Sequence, residues 1–379
     1  MQNKMQNKST YQTNLFKTLP IVPCLHNSEM TYDNLFKDYD TVYEGLKEAF
    51  RLSRKGKTHT VYVQEFENYL GKNLNDLATE LLTQSYKPQP IREFTIFCHS
   101  GQKTRKILAP AFRDIVVQRY VYEKIYYLFD KDFIYHSFGC RRNKGGHKCS
   151  KTIQKWQNSS NPNNYYLQLD VRKFYYNIDH TILRTLIQQK IKDEKLLNLL
   201  ISFCTPNSDV GVNVGSVLAQ LFALIYLDAL DQHVKHVLKI KKYARYVDDI
   251  LIMNISKERA ISLHNYIEKY LYEHLKLELS KFKINKLCNG INFTGVRTFY
   301  HYNLTRPRTY KNFYREVKAH ENDINFKSIE SRLGMIEHTN SYIKLIEILN
   351  NNINTKNIIP KHILRRIYKW QKMKQHLQK

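Results

Sequence analysis

A chain of 379 residues with 60 Lys and Arg against 34 Asp and Glu carries a formal net charge of +26, far beyond what solubility requires, while 42% hydrophobic and 13% aromatic content excludes a disordered basic tail. Such a chain can bury a large core shared among two or three subdomains, and its expected partner is a polyanion. No uninterrupted apolar stretch reaches the ~20 residues of a membrane span, the polar start from Met1 to Lys8 lacks a signal-peptide core, and no basic amphipathic helix stands out, so the expectation is a cytoplasmic protein with no membrane contact.

The first thirty residues show no periodicity and read as an extension; the repeated Met-Gln-Asn-Lys is too short to be a structural repeat. From Tyr32 the pattern is helical, with Leu46, Ala49 and Phe50, then Leu74, Leu77, Leu81 and Leu82 on repeating faces, until Pro88 and Pro90. Phe94 to Phe97 and Lys106 to Leu108 flank a Ser100-Gly101 turn and predict a hairpin. Phe112, Ile115, Val116, Tyr122, Ile125, Leu128 and Phe129 predict a core-facing helix. Trp156 to Asn164 reads as a polar connection, Ile182 to Phe203 as a helix broken by Thr205-Pro206-Asn207-Ser208, and Ser216 to Leu230 as a strongly apolar helix. An amphipathic helix over Ile261 to Leu275 and two short strands ending at Gly295 follow. From Arg297 to Lys379 there are 17 Lys and Arg against 6 Asp and Glu.

Two stretches carry the chemistry. Tyr165 to Val171 reads as a strand rich in aromatic and branched residues with Asp170 near its end. Tyr243 to Val247 and Ile250 to Met253 are apolar runs around Asp248-Asp249, which predicts strand, tight turn, strand. Adjacent carboxylates between apolar runs are unfavourable without a counter-charge, and a divalent cation supplies one. Acids sharing Mg²⁺ suit phosphoryl transfer, one ion activating the attacking oxygen and the other stabilising the leaving pyrophosphate. The other reading of Asp248-Asp249 is a solvated turn. Six scattered cysteines without Cys-x-x-Cys spacing argue against a disulfide framework, and Cys140, His147 and Cys149 lack a fourth zinc ligand, so free thiols are expected.

Asp170 to Tyr175 resembles the first catalytic motif of the reverse transcriptases, and Tyr246-Val247-Asp248-Asp249 resembles their Tyr-x-Asp-Asp box. The resemblance spans most of the chain. It implies an α+β right-hand polymerase: fingers over 31–164, a palm with an antiparallel sheet over 165–300 containing a helical insertion at 180–210, and a basic helical thumb over 301–379. It also implies a site of Asp170, Asp248, Asp249 and the Val171 carbonyl on two Mg²⁺ ions, for which Mn²⁺ can substitute. Tyr175 matches the steric gate against a 2′-hydroxyl. Lys283 matches the lysine that protonates departing pyrophosphate.

Gly211 to Gln220 resembles the family's template and nucleotide loop, with two departures: Val214 stands where many relatives have Gln, and Ala219-Gln220 where they have Ser-Pro. These departures look like the diversity-generating retroelement enzymes and the defence-associated unknown-group enzymes. Val214 and Gly215 are then nucleotide contacts. Lys103 to Pro110 and Phe138 to Lys148 resemble the two fingers motifs, which makes Arg105, Arg141 and Lys144 triphosphate contacts. Ile291 to Val296 resembles the primer grip, with Phe293 and Gly295 at its turn. The implied partners are a non-coding RNA template, deoxynucleoside triphosphates, the DNA product, and a second protein or a second copy of the chain. Antiphage defence is the preferred role; a mutagenic diversity-generating enzyme and a template-independent or RNA-scaffolding relative are the alternatives.

Overall fold

A computed structural model describes residues 30–98 and 103–319, with positions 334, 338–341 and 365. The N-terminal extension up to residue 29 and most of the basic thumb beyond residue 319 lie outside the described residues. The chain divides into two compact units. The first comprises Met1–Arg142, Leu169–Ile250 and Ser262–Phe282, and the second Asn143–Gln168, Leu251–Ile261 and Lys283–Lys379.

The first unit opens with four helices: α1 (Tyr32–Leu35), α2 (Tyr39–Arg54), α3 (Val61–Asn68) and α4 (Leu70–Leu82). Helix α2 begins where the Asp38 side chain accepts the Thr41 amide at 2.9 Å, and its Val42, Leu46, Ala49 and Phe50 form one buried face. The expected hairpin is present as β1 (Arg92–Cys98) and β2 (Lys103–Ala109), antiparallel with Arg92 opposite Ala109. The core-facing helix α5 (Phe112–Asp130) packs against α2.

Helix α6 (Gly146–Asn158), in the second unit, overruns the polar connection predicted from Trp156. Cys149, Ile153 and Gln157 recur every fourth residue on its buried face, and Gln157 Nε2 donates to the Leu287 carbonyl at 2.7 Å, so the packed stripe outweighs local polarity. Strand β3 (Tyr165–Val171) follows as predicted. The single helix predicted over 182–203 is two, α7 (His180–Gln188) and α8 (Glu194–Ser202). Asp193 starts the second by accepting the Leu196 amide at 2.7 Å, and Lys190 turns in the gap to donate to the Leu128 carbonyl at 3.0 Å.

Helix α9 (Val217–Gln232) begins at Ser216, whose hydroxyl accepts the Leu218 amide at 3.2 Å. It is apolar on nearly every side because it is buried against α5 and α7. Val217–Val237 is long and apolar enough to cross a membrane by length and composition, and 72% of its most apolar window is buried inside the protein. Next come β4 (Tyr243–Tyr246), β5 (Asp249–Ile255), α10 (Lys257–Leu275) and β6 (Leu279–Lys286), then β7 (Ile291–Phe293), β8 (Val296–Thr298), β9 (Asn303–Thr305) and α11 (Pro307–Ala319). One sheet has the order β4-β5-β3-β6, and a second runs β7-β8-β9 with antiparallel pairing. Helices beside antiparallel sheets make the fold α+β, as expected.

Candidate active site

The Tyr246-Val247-Asp248-Asp249 stretch is a strand, a two-residue turn and a strand: β4 ends at Tyr246 and β5 starts at Asp249. Val247 has φ +58°, a left-handed conformation that a β-branched side chain adopts at a cost of about 1–3 kcal/mol. Its surroundings hold it there. Arg245 Nη1 donates to the Val247 carbonyl at 2.9 Å, and Gly139 faces Val247 without a side chain. The segment before Gly139 runs alongside β4: the Phe138 amide donates to the Arg245 carbonyl at 2.9 Å, and the Arg245 amide to the His136 carbonyl at 3.0 Å.

Strand β3, next to β5 in the sheet, carries half-buried Asp170, whose Oδ2 accepts the Ser280 hydroxyl. Past Val171 the chain turns at Lys173, φ +46°, into a short 3₁₀ turn that buries Phe174 and leaves Tyr175 half-buried. The Tyr175 hydroxyl lies 3.9 Å from Cys140 Sγ. Burial, then Cys140 and the Asp248 carboxylate, push the Tyr175 hydroxyl far above the ordinary tyrosine range. Cys140 is also raised, by burial first and with Asp248 adding to it, so both side chains feel the Asp248 charge and both stay protonated. Tyr175 and Cys140 are thus neighbours, and the Asp248 charge acts on both.

The Tyr175 carbonyl accepts the Val212 amide and the Ile178 carbonyl the Gly211 amide, both at 2.8 Å, which ties the loop before α9 to the turn after β3. Beyond it, half-buried Val214 and exposed Gly215, φ +102°, help line a cavity of 720 Å³ in the first unit, with Phe66, Phe94, Phe112 and Arg113. Val214 presents only methyl groups to this cavity. Asn213 faces inward and donates to the Phe203 carbonyl at 3.0 Å.

The remaining expected residues have different settings. Arg105 lies on β2 opposite Ile96. Arg141, taken from the sequence as a triphosphate contact, gives its guanidinium to the protein: Nε donates to Asp130 Oδ1 at 2.7 Å, Nη1 to the Ile134 carbonyl at 2.7 Å and Nη2 to the Asp130 carbonyl at 3.0 Å. Its side chain is 6% exposed, and this geometry assigns it to bracing the loop after α5. Lys144, Lys283, Phe293 and Gly295 belong to the second unit. Lys283 is exposed on β6, with Nζ 5.9 Å from the centre of the Tyr166 ring, and lines a 630 Å³ pocket with Arg297 and Arg306. Phe293 is buried and pairs with Val296 across Thr294 and Gly295, both at positive φ, a two-residue hairpin turn for which the glycine is suited.

Among the described residues, no three His, Cys, Asp or Glu side chains gather closely enough to hold a metal by themselves. Asp170, Asp248 and the Val171 carbonyl are hard oxygen donors, and this set fits Mg²⁺, which binds through one or two carboxylates with substrate phosphates completing its shell.

Sequence reasoning missed Ser280, Gly139 and the Asp231–Arg245 pair. Ser280 and Gly139 leave no local mark. Arg245, inside the apolar run before Val247, and Asp231, on an apolar helix, were visible as charges in buried elements, which are seldom found there unpaired.

The family model for "Reverse transcriptase (RNA-dependent DNA polymerase)" matches residues 99–298, more than half of the chain. The chain is 27% identical over 253 residues to the group II intron-encoded protein LtrA of Lactococcus lactis, covering 63% of this chain and 39% of that protein. It is 26% identical over 305 residues to protein YkfC of Escherichia coli, covering 67% and 80%. Thus the chain spans about two fifths of the length of LtrA and most of YkfC. The solved structure of telomerase from Candida albicans, with a fragment of telomeric RNA, aligns at a TM-score of 0.45 and 11% identity, covering 76% of this chain and 60% of that one.

Proposed function

Because the chain belongs to the reverse transcriptase (RNA-dependent DNA polymerase) family, we propose that it is a nucleotidyltransferase that copies an associated non-coding RNA into DNA in the cytoplasm, in the service of antiphage defence. The observation that carries the polymerase reading is the β4–β5 turn: it presents Asp248 between two strands, with Asp170 on β3 next to β5. When bound between Asp170, Asp248 and the Val171 carbonyl, Mg²⁺ supplies charge stabilisation for phosphoryl transfer, with Asp249 as the remaining acid of the motif. The chain's own groups orient the reactants. Tyr175, kept protonated and half-buried, presents a fixed ring against the sugar of the incoming nucleotide, where a 2′-hydroxyl would collide with it.

Val214 and Gly215 shape the nucleotide side of the loop before α9, and Arg105 and Lys144 are the remaining fingers cations for the triphosphate. Lys283 is the proton donor to pyrophosphate, and Phe293 and Gly295 form the primer grip. The basic surplus of +26 follows the RNA and DNA backbones. The preference for defence rests on the N-terminal extension and the basic C-terminal region, which suit one dedicated RNA, while the departures at Val214 and Ala219-Gln220 fit either role. A mutagenic enzyme of a diversity-generating retroelement is the second reading, favoured by the apolar Val214 at the cavity wall.

Incorporation of labelled deoxynucleotides on a defined RNA template with a DNA primer tests the polymerase reading, and sequencing the nucleic acid that copurifies tests the RNA partner. Templated extension and one recurrent RNA species are expected. A chain that extends no primer and carries no RNA would overturn both.

A further inference from the structure

A buried ion pair lies behind the Val247–Asp248 turn, and nothing in the proposed chemistry uses it. Arg245 on β4 and Asp231 on α9 are both fully buried. Arg245 Nε donates to the two Asp231 oxygens at 2.9 and 2.8 Å, and Nη2 stands 2.7 Å from Oδ2. The Tyr243 hydroxyl donates to Asp231 Oδ1 at 2.5 Å. Burying such a pair brings little stability of its own, since desolvation offsets the attraction and a well-packed apolar pair of similar volume serves as well. Arg245 does one thing that an apolar residue cannot: Nη1 reaches past the ion pair and donates to the Val247 carbonyl at 2.9 Å. Val247 is the strained residue of the turn, φ +58°, and Asp248 is the next in the chain.

We propose that Arg245, oriented by Asp231, is the positioning residue that locks the Val247 peptide and thereby aims the Asp248 carboxylate at its metal. The guanidinium fork is what makes this possible. Its Nε is fixed by both oxygens of one carboxylate on a core helix, with Nη2 at ion-pair distance but without a hydrogen bond of its own, so the Nη1 donor arrives at the turn with limited freedom. The main chain of the same residue is held too, by the Phe138 amide and the His136 carbonyl. The turn's geometry is thus referred to α9, a helix buried along most of its length, rather than to solvent. The inference rests on the proposed reading of Asp248 as a metal ligand and, for the metal's substrate, on the polymerase reading.

The test uses the full chain in three forms: wild type, Arg245→Lys, and the pair Arg245→Met with Asp231→Leu. The pair removes the lock without leaving an orphaned buried charge, and Arg245→Lys keeps a cation against Asp231 while giving up the fork. Mn²⁺ binding is followed by electron paramagnetic resonance without nucleotide, primer extension is resolved into kcat and KM, and thermal unfolding reports the folded fraction. The expected result for the folded pair is Mn²⁺ affinity weakened about 10-fold or more and kcat reduced on the order of 100-fold, with KM for deoxynucleotide nearly unchanged. Arg245→Lys falls between the pair and wild type and stands in for the pair if the pair does not fold. Wild-type Mn²⁺ affinity in either folded variant of an enzyme that extends primers would overturn the lock alone. Weakened Mn²⁺ binding in a chain whose wild type extends no primer would overturn the polymerase reading and uphold the lock.

Discussion

Gly139 lies so close to Val247 that a methyl group on Gly139 would sit 2.5 Å from both the Val247 amide nitrogen and its Cγ2. Neither atom is at the end of a flexible side chain, so the turn itself would have to move. Gly139→Ala is therefore expected to destabilise the folded chain by about 1–3 kcal/mol, measured by denaturant unfolding. Primer extension by the folded fraction should fall more steeply than stability does. An alanine variant with wild-type turnover would show that the turn tolerates displacement.

Tyr175 is half-buried, its hydroxyl 3.9 Å from Cys140 Sγ and within reach of the Asp248 charge, and it is the ring proposed to face the sugar. Tyr175→Ala opens that space, and the ratio of ribonucleotide to deoxyribonucleotide incorporation should rise roughly 10- to 100-fold. Single-nucleotide incorporation on one template measures it. A folded variant with unchanged discrimination would reduce the ring to core packing.

Arg141 separates two roles that a basic motif leaves open. Its guanidinium partners, Asp130, Ile134 and Ser137, belong to the protein. Arg141→Ala should lower stability by about 1–3 kcal/mol, since Asp130 keeps the Tyr126 hydroxyl but loses the guanidinium, and the Ile134 and Asp130 carbonyls lose their donor. In the folded fraction KM for deoxynucleotide should stay near wild type, and a large rise in KM would return Arg141 to the triphosphate.

Burial, and then the nearby Asp231, push the Asp228 carboxyl up to about 7, while Gln232, Arg245 and Lys190 act to lower it. The folded chain therefore keeps this proton through a range in which the unfolded chain has lost it. The stability this contributes is complete below about pH 4 and disappears as pH rises through about 7. Asp228→Asn should flatten that decline, with a difference of about 2–4 kcal/mol between the two ends of the window. Unfolding midpoints at several pH values measure it, and parallel curves for wild type and variant would contradict it.

The elements that sequence made legible are those whose signal is local. Apolar runs on both sides of Asp248-Asp249 marked β4, the turn and β5, and a serine before a run of Leu, Ala and Phe marked α9. Asp170 near the end of β3 and Asp248 in the β4–β5 turn stand where the local pattern put them. What escaped depended on partners far along the chain. Helix α6 continues through Trp156 because Gln157 bonds Leu287, 130 residues on. Arg141 looked like a ligand contact because the acid that takes it, Asp130, stands outside the motif. The bond from Ser280 to Asp170 crosses 110 residues, and no spacing rule within a motif could expose it.

The most direct test of the central claim is extension of a DNA primer on one defined RNA template by wild type, Asp170→Asn and Asp248→Asn, with RNA affinity measured alongside. Wild type should synthesise a complementary DNA strand, and each variant should lose synthesis by several orders of magnitude while binding RNA as before. Full extension by either folded variant would contradict the assignment of this pair of carboxylates to polymerisation.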